Sequence, residues 1–415
     1  MRKQHDLVIV GGGPAGMAAA VAAYDAGCRD VVILDREPEL GGILQQCIHN
    51  GFGLHKLGKE LTGPEYAAVY AEKVKERNIT VYPETMVTAV SPDRVVTAQN
   101  RQGILKIQAG AVVLAMGCRE RSRGALNISG SRPAGIYSAG TAQKLVNCMG
   151  YQVGKRAVIL GSGDIGLIMA RRLSLAGAKV EAVCEVMPYS GGLTRNIVQC
   201  LEDFDIPLYL STTVVQIHGQ KRLEGVTIAQ VDEKRKPIPR TERYIPCDTL
   251  LLSVGLIPEN ELTRSAGIPM DPITGGAMVD QHCQTAVPGI FACGNVLHVH
   301  DLVDYVSDEA ERAGKGAAAF IRDSSKKEAA IDVKPGIGVR YVIPQTIDSW
   351  AEDVTLFFRV GQPTGKAKIT ATQGDTVLSA SKRLRTAPGE MEKLTIKAAA
   401  LQNVEGPITV SLEVL

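Results

Sequence analysis

Aromatic side chains are scarce in this chain: six Phe, eleven Tyr and one Trp among 415 residues make 4%. So few rings exclude a stacking platform for single-stranded nucleic acid, which needs aromatic faces for successive bases. An excess of one charge is also lacking, with 46 Lys and Arg against 44 Asp and Glu. There is no footprint for a phosphate backbone, and nucleic acid is excluded as a partner. No apolar run reaches the roughly 18 residues that a membrane-crossing helix needs. The opening MRKQHDLVIV passes directly into a strand without a signal-peptide pattern. The expected location is cytoplasmic, with any membrane association peripheral and mediated by partners. The nine cysteines are odd in number, and no CxxC occurs among Cys28, Cys47, Cys118, Cys148, Cys184, Cys200, Cys247, Cys283 and Cys293. Neither a disulfide framework nor an iron–sulfur cage fits.

Glycine is plentiful instead, at 43 residues. Residues 7–42 read as an apolar strand, a GxGxxG turn, an alanine-rich helix, a second apolar strand ending in Asp35, and the pair Gly41-Gly42. This is the pattern of a dinucleotide site. Gly11 permits the tight turn, Gly13 lets backbone approach a pyrophosphate, and Gly16 lets helix and sheet pack closely. The helix N-terminus then faces the phosphates, and Asp35 stands where a carboxylate accepts hydrogen bonds from ribose hydroxyls. The device recurs 150 positions on, as Gly161, Gly163, Gly166, Glu185 and Gly191-Gly192. Strand, turn, helix, strand and acid follow in order twice, which predicts two bound nucleotides in one chain.

A chain this long exceeds a single core, so two or three domains are expected. After Gly42 a glycine- and histidine-bearing stretch reads as a loop. Thr62 or Gly63 then caps a helix running to Asn78, and alternating residues at 85–90, 94–98 and 104–108 predict an antiparallel excursion before a buried strand at 111–117. A helix is predicted from about Asp301 or Leu302 to Arg322. Residues 324–336 read as a solvated linker. Six short alternating segments between 339 and 414, separated by Gly, Pro, Asp or Asn, carry the signature of a β-sandwich.

The two fingerprints, followed by GIFACGN at 289–295, resemble the two-dinucleotide-binding flavoproteins, the superfamily of glutathione and thioredoxin reductases, over about residues 5–325. The resemblance implies an α/β fold of two Rossmann-like three-layer (ββα) dinucleotide-binding domains, with the NAD domain inserted in the FAD domain and a small C-terminal all-β domain beyond them. The implied bounds are 1–122 and 284–325 for FAD, 123–283 for NAD(H), and 326–415 for the linker and β-rich domain. FAD is implied to lie on Gly11, Gly13, Pro14, Ala15, Gly16, Asp35, Arg36, Gly42, Gln46, Ala115, Gly117, Gly294 and Asn295. NAD(H) is implied to lie on Gly161, Gly163, Asp164, Ile165, Gly166, Glu185 and Gly255. Asn295 stands where the family usually has aspartate. The wording QQCIHNGFGLH, CRERSRG and PAGIYSAGTAQ, with the β-rich tail, is most similar to flavin subunits of multicomponent dehydrogenases. These include subunits of hydrogen cyanide synthase, opine oxidase and proline dehydrogenase, and the flavoprotein accompanying anaerobic glycerol-3-phosphate dehydrogenase.

The implied function is an FAD-dependent NADH oxidoreductase passing electrons between NADH and partner proteins, a substrate-dehydrogenase flavoprotein and a small cysteine-rich carrier. The alternative is a self-contained NADH oxidase or peroxidase using Cys47 with His49 as catalytic residues, and a non-catalytic subunit is a third reading. Cys47 lacks the second nearby cysteine of a disulfide reductase, and a free Cys is often a small buried hydrophobe. Arg119, Glu120, Arg121 and Arg123 are left without a role. His298 and His300 form an HxH pair, but with no further ligand at suitable spacing they read as loop and cap residues, so no metal is expected.

Overall fold

The apolar runs at 7–10 and 31–34 lack polar alternation, which requires burial on both faces and hence a parallel sheet covered by helices. The computed structural model describes residues 2–323, 330–349, 351–402 and 404–415. The chain divides into two units, one of Met1–Gln45, Asn50–Cys118 and Pro258–Leu415, the other of Gln46–His49 and Arg119–Ile257. In the first, β1 (Arg2–Val10) leads through a glycine turn into α1 (Pro14–Asp25) and then β2 (Val31–Leu34), parallel to β1. Every residue of α1 from Ala15 to Ala23 is buried, and its alanines admit close neighbours on several sides. Helix α2 (Gly63–Glu76) begins at a capping box, in which Thr62 and Glu65 satisfy each other's backbone N–H groups.

After β3 (Thr80–Tyr82), the strands β4 (Met86–Val90) and β5 (Val95–Asn100) form the antiparallel excursion. The segments read as separate strands at 104–108 and 111–117 are one strand, β6 (Gly103–Leu114). Residues 103–108 run antiparallel to β5, and from Lys106 to Leu114 the strand runs parallel to β1. The resulting sheet has the order β3-β2-β1-β6-β5-β4, with Ile290–Ala292 also pairing with β6.

The second unit repeats the plan. Strand β7 (Ile136–Ser138) precedes α3 (Ala139–Asn147), and β8 (Arg156–Leu160), α4 (Asp164–Leu175) and β9 (Lys179–Cys184) form the second strand–helix–strand device. With α5 (Thr194–Cys200), β10 (Leu208–Tyr209) and β11 (Thr249–Leu252), the sheet reads β7-β11-β8-β9-β10, parallel throughout.

Residues 258–283 lie with the first unit, whereas the resemblance placed them with the second. Buried Asn260 donates to Gly275 O and Val296 O, both at 2.8 Å, and Ile268, Ala277 and Val279 share a core with β6. Helix α6 (Val303–Arg322) starts after Leu302. A Cβ on its Gly314 would lie 2.2 Å from Ala19 O, so only glycine lets α6 approach α1 this closely. No helix among the described residues is long and apolar enough to cross a membrane.

The linker reading lies partly outside the described residues, at 324–329, and Ile331–Pro335 is a strand. Beyond it, a five-stranded and a three-stranded sheet close over one core containing Leu356, Phe358, Ile369, Ile396, Ile408 and Val410. This β domain is built into the first unit. Tyr341 and Ile343 enter the core beneath β6. Arg359 donates to Asp301, to Val299 O at 3.0 Å and to Pro388 O at 3.1 Å, while Asp301 also accepts from Met391 N at 2.6 Å. Asp301 thus pairs across to the β domain, and the helix begins beyond it. Arg359→Ala would leave a buried carboxylate without its cation, an expected loss of ~3 kcal/mol, to be read as a lower melting temperature of the FAD-loaded protein.

Candidate dinucleotide sites

In the first unit the turn after β1 shows which glycines the fold itself demands. Gly11 has φ +105°, and a Cβ there would sit 2.5 Å from Ala115 O; one on Gly16 would sit 1.8 Å from Gly11 O. Gly13 is different. Its backbone is extended (φ −72°, ψ −173°), which any residue adopts, and a Cβ there would meet nothing within 4 Å. The fold itself does not require glycine at this position, and the space in front of it is open. Gly13 is the N-cap of α1, with Pro14 at the first helical position and no capping side chain. The leading N–H groups of α1 are therefore directed at that space.

Asp35 is buried at the end of β2, accepting from Gly12 N and, at 2.7 Å, from Glu37 N. Arg36 is exposed beside it. A Cβ on Gly42 would lie 3.1 Å from the Gly13 Cα, while Gly117 has φ +73° and open space around it. Ala115 N bonds Val10 O at 2.9 Å, holding the two strand ends level. Gly294, with φ +73°, approaches the side chain of Ala15. Asn295 accepts from His300 N at 3.0 Å and places its amide nitrogen 3.6 Å from Cys118 Sγ.

The second unit builds the same cradle. Gly161 has φ +101° and a would-be Cβ 2.0 Å from Ser253 O, and a Cβ on Gly166 would lie 2.6 Å from Gly161 O. One on Gly163, the N-cap of α4, would find only Ser253 Oγ at 3.9 Å. Glu185, buried at the end of β9, accepts from Ser162 N at 2.9 Å, Ser162 Oγ at 2.7 Å and Met187 N at 2.9 Å. Ser162 and Met187 stand 150 positions after Gly12 and Glu37, so the two acids are held in the same way. Asp164, at the first helical position of α4, accepts from Leu193 N at 2.8 Å and Asn196 Nδ2 at 2.6 Å, tying the Gly191-Gly192 loop to the helix. Ile165 follows it in α4, and Gly255 (φ +103°) is exposed with nothing near its Cβ position.

Gln46, Cys47 and His49 belong to the second unit. The Gln46 amide donates to Gly140 O at 2.8 Å and Gln143 Oε1 at 2.9 Å, and its backbone oxygen accepts from Asn147 Nδ2 at 2.8 Å. Cys47 Sγ lies 3.8 Å from Gln143 Oε1, and burial, reinforced by Cys148, pushes its thiol up to about 12. Cys148 caps the C-terminal end of α3. The sequence offered no signal for this neighbour, since about 100 residues separate it from Cys47. Burial, then the charge of Arg195, lowers the His49 pKa, with Asp164 opposing. The structure thus brings His49 into the field of the α4 N-terminus, which spacing did not show.

Two sheets, each with a glycine cradle followed by a buried acid, define a class: proteins built to carry two dinucleotides. The chain belongs to the pyridine nucleotide-disulphide oxidoreductase family, whose model matches residues 5–317. Members of that family are FAD- and NAD(P)-dependent oxidoreductases, and the chain spans about three fifths of the length of the opine oxidase subunits it matches. It is 25% identical over 319 residues to one of the opine oxidase subunits of Agrobacterium tumefaciens, an alignment covering 70% of this chain and 61% of that protein. It is 27% identical over 360 residues to the HcnB component of hydrogen cyanide synthase from Pseudomonas protegens, covering 79% and 73%. Among solved structures, thioredoxin reductase of T. acidophilum superposes with a TM-score of 0.64 at 23% identity, over 77% of this chain and all of that one. A NAD-dependent persulfide reductase of A. fulgidus gives 0.59 at 18% identity, over 98% and 77%.

Proposed function

We propose that this protein is the NADH-linked flavin subunit of a multicomponent dehydrogenase, with a glycerol-3-phosphate-type complex favoured. The observation that supports it most is the doubled cradle, in which each central glycine is the N-cap of a helix and has no backbone atom against its Cβ position. FAD, when bound, supplies hydride acceptance from NADH and release of electrons one at a time. The N-terminus of α1 would hold its pyrophosphate and Asp35 its adenosine ribose. Gly163 and α4 would hold the pyrophosphate of NADH, and Glu185 the ribose beside it. Partner dependence is supported by relatives whose names make them parts of larger enzymes, the opine oxidase subunits and HcnB. The expected partners are a substrate-dehydrogenase flavoprotein and a small cysteine-rich carrier. Affinity purification from the native cell tests this: a lone species fully active on a carbon substrate would contradict it. Truncation near residue 330 is not a clean test, because it strips Tyr341 and Ile343 from the core of the first unit.

The peroxidase reading draws support from one feature, a second thiol, Cys148, near enough to act electrostatically on Cys47. Against it, a nucleophilic sulfur must be a thiolate, and the Cys47 thiol is pushed the other way. Cys47→Ser is expected to keep NADH-dependent dye reduction within about twofold of wild type, since loss of a thiol that stays protonated removes no charge, and Cys148→Ser, at an exposed position, is expected to do the same. Peroxide- or disulfide-dependent NADH oxidation that disappears in either variant would establish the alternative.

A further inference from the structure

The HxH pair gains a third donor in the fold. Glu309, in the second turn of α6, points back to the loop before that helix, where it meets His298 Nε2 at 2.7 Å and His300 Nε2 at 3.2 Å. The side chains of the three residues are 0–1% exposed, and their ligand atoms lie within 4.8 Å of one another. The imidazole centroids are 4.2 Å apart. We propose that His298, His300 and Glu309 bind a divalent first-row transition-metal ion, a buried structural site that ties the Gly294–Asn295 loop to α6.

Charge is the first argument. A carboxylate this deep needs a cation or several hydrogen bonds to remain ionised. Glu309 has one backbone donor, Gly294 N at 2.7 Å, besides the two imidazoles. The neighbouring cations serve other groups: Arg359 is held by Asp301, Val299 O and Pro388 O, and Arg312 lies 5.0 Å from the centre of the Phe357 ring. A dication on the three ligands would place positive charge beside a buried carboxylate that otherwise rests on three hydrogen bonds alone.

The tautomers allow it. As a purely hydrogen-bonded cluster, both rings with neutral imidazoles must carry the proton on Nε2. Neither Nδ1 has a hydrogen-bond partner, so the far side of neither ring selects a tautomer, with or without an ion. Moving each proton to Nδ1 frees both Nε2 lone pairs toward the same point. Two imidazole nitrogens and one carboxylate suit zinc, iron, cobalt or nickel, whereas calcium and magnesium prefer all-oxygen sets. Three protein ligands leave a fourth position that the second Glu309 oxygen can fill, and complete burial keeps substrate away from it, which makes the site structural. Glu309 also accepts from the N–H of Gly294, so the ion would stiffen the loop carrying the second half of the flavin motif.

The test uses full-length, tag-free protein carrying FAD, dialysed against EDTA and analysed by inductively coupled plasma mass spectrometry. The expected result is one transition-metal ion per chain, with an X-ray absorption spectrum showing nitrogen and oxygen neighbours, imidazole scattering and no sulfur. His300→Ala and Glu309→Gln should each lose the ion, with retained FAD and circular dichroism confirming the fold. Should either variant misfold, the wild-type stoichiometry and absorption spectrum decide. Substoichiometric metal in FAD-replete wild type, sulfur in the coordination shell, or undiminished metal in a folded His300→Ala variant would overturn the site.

Discussion

Gly13→Asp is expected to give a folded, colourless protein. The backbone at Gly13 is extended and its Cβ position is open, so an aspartate enters without strain. At an N-cap it can also accept from the first free N–H groups of α1. The same carboxylate stands where the FAD pyrophosphate must lie. Two like charges about 4 Å apart at a partly screened site repel by ~4 kcal/mol, or about a thousandfold in affinity. Absorbance at 450 nm against protein concentration reads FAD content directly, and the melting temperature should match that of wild-type apoprotein. A yellow Gly13→Asp variant would remove the assignment of residues 7–42. Gly11→Ala is the contrasting case, because its Cβ collides with Ala115 O and the fold itself should suffer.

The second large effect is in cofactor choice. Glu185 is not free to swing aside: one carboxylate oxygen takes two hydrogen bonds from Ser162, and the other takes Met187 N. A 2′-phosphate would face this fixed charge, and Val186, Met187 and Pro188 bring no compensating cation. The same electrostatic reasoning gives NADH an advantage in kcat/KM of at least ~100-fold over NADPH. Glu185→Ala should narrow that ratio to about tenfold or less, because only the repulsion is removed. The ratio is the informative quantity, since releasing Ser162 and Met187 loosens the turn for both cofactors. An NADPH preference in wild type, or an unchanged ratio in the variant, would contradict this role of Glu185.

The parts legible in the sequence were those fixed by local rules. Glycines with positive φ, an acid at a strand end and a helix cap at Thr62 or Gly63 announce themselves within a few residues, and the repeat at 150 positions doubled the signal. The alternating segments beyond 339 likewise announced their strands. Illegible were the choices made at long range. Nothing local shows that Gly103–Leu114 is one strand serving an antiparallel and a parallel partner, because both halves are simply apolar enough for either. The placement of 258–283 rests on the bonds of Asn260 to Gly275 and Val296, and the approach of Cys148 to Cys47 on a helix about 100 residues away. Glu309 was invisible as a partner of His298 and His300, because its side chain reaches them only once α6 has folded back over the loop. The β domain read as an appendage since its own alternation is complete, and the packing of Tyr341 and Ile343 with the bonds of Arg359 and Met391 to the segment before α6 reveals it as part of the first unit.

Anaerobic titration of the purified yellow protein with NADH, followed at 450 nm in wild type and in Gly163→Asp, tests the two-cradle account most directly. The account predicts that one equivalent of NADH bleaches the wild-type flavin, while Gly163→Asp keeps its FAD, bleaches with dithionite and fails with NADH. A wild-type flavin that neither NADH nor NADPH reduces, or a Gly163→Asp variant reduced by NADH as fast as wild type, would contradict it.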